Sequence, residues 1–175
     1  MFESKHWKDI ECGDLNAYSK AYVFYYNKLF NYGRNFTDNT AIIEDAIQSV
    51  FIMVWKNREK LNAIHSPHTY IFSAFRNHIF KEKKNLLETS LFKIKQDEDF
   101  EFGIDAILIS KDTSAELSNR IQQALNKLTA RQKEAIFLRF YEALSYEEVA
   151  QVMHISVKAT YKLMARSLLQ LKELM

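Results

Sequence analysis

The sequence predicts an all-α protein of two small helical domains joined by a flexible linker, the second ending in a helix-turn-helix. Three observations predict it. Glycine and proline are scarce, 3 and 1 in 175 residues, which argues against a turn-rich β protein. Apolar residues recur at three-and-four spacing in one segment after another. An acidic stretch without such a period separates the front segments from the rear ones.

The elements follow in order. A first helix is expected over Leu15–Tyr32. A second runs from about Thr40 to Lys60, with Ile43, Ala46, Ile47, Val50, Phe51 and Val54 on one face. Ser66-Pro67 breaks the pattern, and Pro67 suits the first turn of a third helix. That helix carries Tyr70, Ile71, Ala74, Phe75 and Ile79 and ends in the run Lys81 to Lys84. These segments make a domain over residues 10–85. Residues 86–112, with Asp97, Glu98, Asp99, Glu101 and Asp105, read as the linker, with room for a short helix at Ile104–Ile109.

Residues 113–175 form the second domain. Thr113 with Glu116 is a capping box, followed by Leu117, Ile121, Ala124, Leu125 and Leu128 facing inward. Thr129 with Gln132 is another, opening a helix that includes Ile136, Phe137 and Phe140. Ser145 with Glu148 is a third, starting a helix at Tyr146 with Val149, Ala150 and Met153 on its apolar face. The turn falls at His154-Ile155, where His154 must accept a left-handed backbone. Ser156 can cap the last helix. Lys158, Lys162 and Arg166 are spaced by four on it, forming one basic stripe with no acidic residue between them. Such a face suits phosphates, and the layout is that of a helix placed in the DNA major groove. A basic stripe alone would fit a solvated surface equally well; the capped helix, turn and second cap favour the DNA reading.

Composition excludes much else. Net charge is only +2, so a nucleic-acid surface must come from local clustering. The single cysteine, Cys12, cannot form an internal disulfide and suits a reducing cytoplasm. No apolar run reaches the length of a membrane span, and the N-terminus lacks a signal-peptide layout. There is no phosphate-cradling loop, metal-ligand spacing or nucleophile–base pair, so neither an enzyme nor a bound cofactor or metal is expected.

Four fragments in order resemble the bacterial extracytoplasmic-function sigma factors, the small two-domain members of the sigma-70 family. Gly13-Asp14, Ala17-Tyr18, Tyr22 and Leu29-Phe30 look like the family's opening helix. EDAIQSVF from Glu44 to Phe51, followed by Trp55, looks like its region 2.2. Arg76-Asn77 within SAFRNHIF looks like the start of its region 2.4. The segment from Leu128 to Arg166 looks like its region 4. The resemblance implies a promoter-specificity subunit that binds core RNA polymerase. Its front domain would recognise and open the minus-10 element, and its rear domain would read the minus-35 element. An anti-sigma factor is a further possible partner implied by the family.

Residue by residue, the resemblance assigns Glu44, Asp45, Gln48 and Trp55 to the clamp coiled coil of the polymerase β′ subunit. Phe51 and Trp55 also fit as core residues. Arg76, Asn77, Lys81, Lys83 and Lys84 fall to the minus-10 DNA. Asn can pair with a base edge, and Lys mostly positions phosphates. The loop Leu61–His68 stands where the family captures a flipped base. Tyr70 and Phe72 are better core than stacking platforms. Phe80 and Lys81 occupy positions where relatives often carry Asp and an aromatic. In the rear domain Lys158, Ala159, Tyr161, Lys162 and Arg166 fall to the minus-35 DNA. Leu163 and Met164 stand where many relatives are basic, so Leu163 either packs inward or softens DNA contact. Phe137, Arg139 and Phe140 could meet the polymerase β flap, although either Phe fits the core better. The alternative reading is an autonomous dimeric helix-turn-helix regulator, which would bind a palindromic duplex without polymerase.

Overall fold

A computed structural model describes residues 4–63, 66–89, 100–102 and 115–174. Among the described residues there are eight α-helices and no strand. The chain divides into two compact units, residues 1–92 and 93–175.

The N-terminal unit contains α1 (Ser4–Glu11), α2 (Leu15–Arg34), α3 (Thr40–Lys56), a 3-10 turn (Arg58–Ala63) and α4 (Pro67–Thr89). α2, α3 and α4 pack on one another, while α1 lies against α2 and the 3-10 turn. Asp14 starts α2, its Oδ1 accepting from the backbone N–H of Asn16 at 2.7 Å and of Ala17 at 3.2 Å. Asn39 caps α3, accepting from Ala41 N–H at 3.1 Å. Ser66 Oγ accepts from Thr69 N–H at 3.3 Å, and Pro67 takes the first position of α4. The core interleaves Ala21, Tyr25, Leu29 and Tyr32 of α2 with Ile43, Ile47, Val50, Phe51 and Val54 of α3 and Ile71, Phe72, Phe75 and Ile79 of α4.

Gly33 lets α2 approach its neighbours closely. A Cβ there would lie 2.8 Å from Ile43 Cγ2 and 3.0 Å from Phe75 Cζ. Both are packed core side chains with little room to give. Gly33→Val is therefore expected to destabilise the chain by about 1–3 kcal/mol. Chemical denaturation measures this directly; an unchanged midpoint would mean that the helices can spread at no cost.

Several boundaries differ from those expected. α1 was not foreseen and lies mostly ahead of the boundary set at residue 10. It is held by Trp7 and Ile10, both buried, with Trp7 tilted against Tyr25 at 5.9 Å. α2 continues past Tyr32 to Arg34, where Asn35 Nδ2 donates to Asn31 O at 2.8 Å and closes the end. α3 stops at Lys56 rather than Lys60, and Asn57 Nδ2 donates to Met53 O at 3.0 Å. The chain then tightens into the 3-10 turn. α4 runs to Thr89, so helical structure enters the 86–112 interval. Its buried face includes Phe72, whereas Tyr70 and Ala74 are only half-buried. The short helix expected at Ile104–Ile109 and the Thr113 cap lie outside the described residues.

The C-terminal unit holds α5 (Ala115–Asn126), α6 (Ala130–Ile136), a π-helical turn (Phe137–Tyr141), α7 (Tyr146–Met153) and α8 (Val157–Leu174). Thr129 and Gln132 form a reciprocal capping box at α6, and Ser145 and Glu148 form one at α7. α7 ends in a Schellman motif. Ile155 N–H donates to Ala150 O at 3.0 Å and His154 N–H to Gln151 O at 3.3 Å. His154 sits at φ 53°, the left-handed conformation that the turn requires. Ser156 Oγ then accepts from Ala159 N–H at 3.2 Å and starts α8. Val149, Val152, Met153 and Met164 are buried at the junction of the two helices.

Candidate nucleic-acid and partner interfaces

α8 sorts its residues by face. Thr160, Met164 and Ser167 are buried, with Thr160 Oγ1 donating to Ser156 O at 3.2 Å and Ser167 Oγ to Leu163 O at 2.8 Å. Two polar side chains are thereby satisfied within the helix. Lys158, Ala159, Tyr161, Lys162 and Arg166 are all exposed on the outward side. The positive end of the helix dipole at Val157 lies on the same approach and adds to the attraction for phosphate. Leu163 is half-buried. Tyr161 is already engaged by the protein. Its ring meets Tyr146 edge-on at 4.6 Å and its hydroxyl reaches Glu147 Oε1 at 3.4 Å, leaving the residue half exposed. α7 is locked in turn by Arg139, whose guanidinium covers the Tyr146 ring at 5.3 Å and donates to Leu144 O at 2.9 Å. The helix-turn-helix is thus braced by its own aromatic and charged side chains.

In the N-terminal unit, the outward side of α3 carries Glu44, Asp45 and Gln48, all exposed. The same stripe continues through Ile52, which is 53% exposed. An apolar side chain in the open beside three polar ones is the composition of an interface anchor with a polar rim. Ile52 was missed in the sequence because it falls inside a run of apolar residues, and only its register sets it outside the core face. Tyr26 Oη donates to Glu44 Oε1 at 3.3 Å; burial and the Glu44 carboxylate together raise its phenol above the ordinary value. Trp55 is half-buried, edge-on to Tyr18 at 4.9 Å and covered by the Arg58 guanidinium at 4.8 Å. Phe51 is core, at 1% exposure, so it cannot contribute to the outer stripe.

α3 and α4 meet at Asp45 and His78, with Oδ2 and Nε2 3.6 Å apart. Beside this pair a groove of about 380 Å³ is lined by Ser49, Met53, Tyr70, Asn77, His78 and Lys81, among others. The candidate residues of α4 part company here. Asn77, Lys81 and Lys84 are exposed. Arg76 lies over the Phe80 ring at 4.4 Å, and Phe80 in turn meets Phe36 edge-on at 5.4 Å. Lys83 Nζ donates to Phe36 O at 3.1 Å, so its ammonium is turned to the protein's own backbone. Of the loop Leu61–His68, Leu61 is buried and His68 Nδ1 is 3.1 Å from Tyr25 Oη. Residues 64 and 65 lie outside the described residues.

Among the described residues no group of acidic, His or Cys side chains is arranged to hold a metal ion, and no helix is long and apolar enough to cross a membrane. Fold and surface together define the class: a two-unit helical protein whose second unit closes on a basic helix-turn-helix.

Comparison with known proteins places it within that class. A model of sigma-70 region 2 matches residues 22–85, and one of sigma-70 region 4 matches residues 118–171. RNA polymerase sigma factor NccH of Alcaligenes xylosoxydans xylosoxydans is 25% identical over 169 residues, covering 93% of this chain and 89% of that protein. ECF RNA polymerase sigma factor SigW of Bacillus subtilis (strain 168) is 24% identical over 176 residues, covering 90% and 88%. Two solved structures share the fold at 18% identity. CnrH in complex with the cytosolic domain of CnrY aligns with a TM-score of 0.63 over 99% of this chain and 97% of that one. The sigma factor RpoE in complex with the anti-sigma factor NepR from Bartonella quintana aligns with a TM-score of 0.61 over 91% and 97%. The chain belongs to the sigma-70 family, in its extracytoplasmic-function group, and is a promoter-specificity factor.

Proposed function

We propose that the N-terminal unit docks on core RNA polymerase through the outer stripe of α3 and engages the minus-10 element through α4, while α8 reads the minus-35 element. Residues 10–85 and 113–175 are the two working domains, joined by residues 86–112. The observation that carries the reading is the division of labour between exposed faces: an acidic, apolar-anchored stripe on one unit and a basic one on the other. Glu44, Asp45, Gln48 and Trp55 meet the β′ clamp coiled coil, with Ile52 at their centre. Asn77, Lys81 and Lys84 follow the minus-10 strand, together with Arg76, whose guanidinium lies over the Phe80 ring. Lys83 supports the helix as well as the strand, through its bond to Phe36 O. Lys158, Ala159, Lys162 and Arg166 face the minus-35 groove, and Tyr161 joins them when its hydroxyl leaves Glu147. Arg139 with the exposed Phe140 meets the β flap.

The protein acts as a binding subunit without chemistry of its own, in the cytoplasm where polymerase works. An anti-sigma factor is a fitting regulator. RpoE and CnrH were solved bound to such a partner and to the cytosolic domain of CnrY, respectively. The docking surface is tested by pull-down with core polymerase. Asp45→Ala with Gln48→Ala is expected to weaken binding by roughly tenfold or more, about 1.4 kcal/mol. Wild-type affinity in that double variant would remove this face of α3 from the interface.

A further inference from the structure

Tyr161 shares the exposed face of α8 with Lys158, Lys162 and Arg166, but its chemistry differs from theirs. A lysine or arginine reaches phosphate from many rotamers, and that attraction is blind to sequence. A phenol acts by direction: its ring lies against a thymine methyl, or its hydroxyl bonds a base edge in the major groove. Any base preference it confers therefore depends on what fixes the ring before DNA arrives. In this protein a second tyrosine does so. The ring of Tyr146, the first residue of α7, meets the Tyr161 ring at 4.6 Å with the two planes 85° apart. This is the edge-to-face arrangement that aromatic pairs favour. Tyr161 remains 50% exposed, so the held ring is still open to a ligand.

Tyr146 is itself fixed. Ser145 N–H donates to Glu148 Oε2 at 2.9 Å and Glu148 N–H donates to Ser145 Oγ at 3.1 Å, which sets where α7 starts. The Arg139 guanidinium covers the Tyr146 ring at 5.3 Å, anchored by its bond to Leu144 O at 2.9 Å. A run of contacts thus leads from the π-helical turn through the start of α7 to the outer face of α8. The second hold on Tyr161 is looser. Its hydroxyl lies 3.4 Å from Oε1 of the exposed Glu147, beyond the ~2.5–3.0 Å of a well-formed O–H···O bond. That bond is weak enough to be exchanged for a base edge while the ring contact stays in place. Tyr146 sets the direction of the ring, and Glu147 occupies the hydroxyl until DNA takes it.

We propose that Tyr146 is a positioning residue for minus-35 recognition: it aims Tyr161 at one base pair, and the preference at that base pair depends on the aim. The proposal rests on the promoter-binding reading above. Its test is transcription by holoenzyme reconstituted from the full chain and core polymerase, on one promoter whose minus-35 element is varied a base pair at a time. Circular dichroism and polymerase pull-down check the folding and docking of each variant. Tyr161→Ala is expected to lower the preference for the best base at a single position by roughly tenfold. Tyr146→Leu, which keeps apolar bulk and removes the ring, should lower it at that same position by roughly threefold to fivefold and leave preferences elsewhere within about twofold of wild type. Tyr146→Phe, which retains the ring, should restore the wild-type profile. On the Tyr161→Ala background, Tyr146→Leu should change nothing further at that position, because the residue it acts through is gone. Should Tyr146→Leu not fold, Tyr146→His, whose smaller ring reaches less far, is expected to lower the same preference to a lesser degree. A loss spread evenly over every position in folded variants, losses that add in the double variant, or an unchanged profile would overturn the proposal. Wild-type holoenzyme that initiates without regard to the minus-35 element would instead overturn the reading on which it rests.

Discussion

Phe51→Ala is expected to unfold the N-terminal unit and abolish polymerase binding. The side chain is 1% exposed and meets the rings of Tyr18, Tyr22 and Tyr25 at 5.9, 5.0 and 6.4 Å. Its own carbonyl accepts from Tyr18 Oη at 2.9 Å, so the backbone here is tied to α2 as well. Truncating a buried phenylalanine costs about 3–5 kcal/mol, the transfer energy of the missing ring plus the cavity left behind. Domains of this size have about 5–15 kcal/mol in all, and small ones lie at the low end. Limited proteolysis and polymerase pull-down should fail together, whereas Phe51→Leu should retain both. A folded, polymerase-competent alanine variant would mean that the ring cluster on α2 and α3 is not what holds them together.

Lys158→Glu combined with Lys162→Glu is expected to lower minus-35-dependent transcription by roughly 10–100-fold without unfolding the unit, about 1.4–2.8 kcal/mol for the pair. Both side chains are exposed on α8, away from the buried Thr160, Met164 and Ser167. Substitutions at such surface sites usually change stability by less than ~0.5 kcal/mol. The salt dependence of promoter binding should also flatten by about one unit of slope for each phosphate that is no longer neutralised. Unchanged output from a folded double variant would remove these lysines from the DNA surface.

The rear half was easier to read in the sequence than the front. Capping boxes are local, and Thr129 with Gln132 and Ser145 with Glu148 pair in the structure as their spacing demands. His154 gave a similar signal, because a turn between two helices needs a left-handed residue and histidine tolerates it. α1 gave none. It is short, its apolar contribution is Trp7 and Ile10, and its stability comes from packing on α2 and the 3-10 turn. The same holds for the exposed Ile52 and Phe140, apolar residues whose outward placement only three-dimensional register reveals. For Phe140 the π-helical turn supplies that register. It shifts the helix so that Phe137 points in and Phe140, at 60% exposure, points out. Lys83 makes the same point for charge. A basic run reads as a DNA surface, but Phe36 O receives one of its ammonium groups.

Whether the protein programs polymerase for particular promoters is decided by reconstituting it with bacterial core RNA polymerase and measuring binding and run-off transcription on a fragmented genomic library. Co-elution with core and initiation at a defined subset of fragments carrying two spaced elements is the predicted result. No association with core, together with tight binding of palindromic duplex by a dimer of the protein alone, would contradict it.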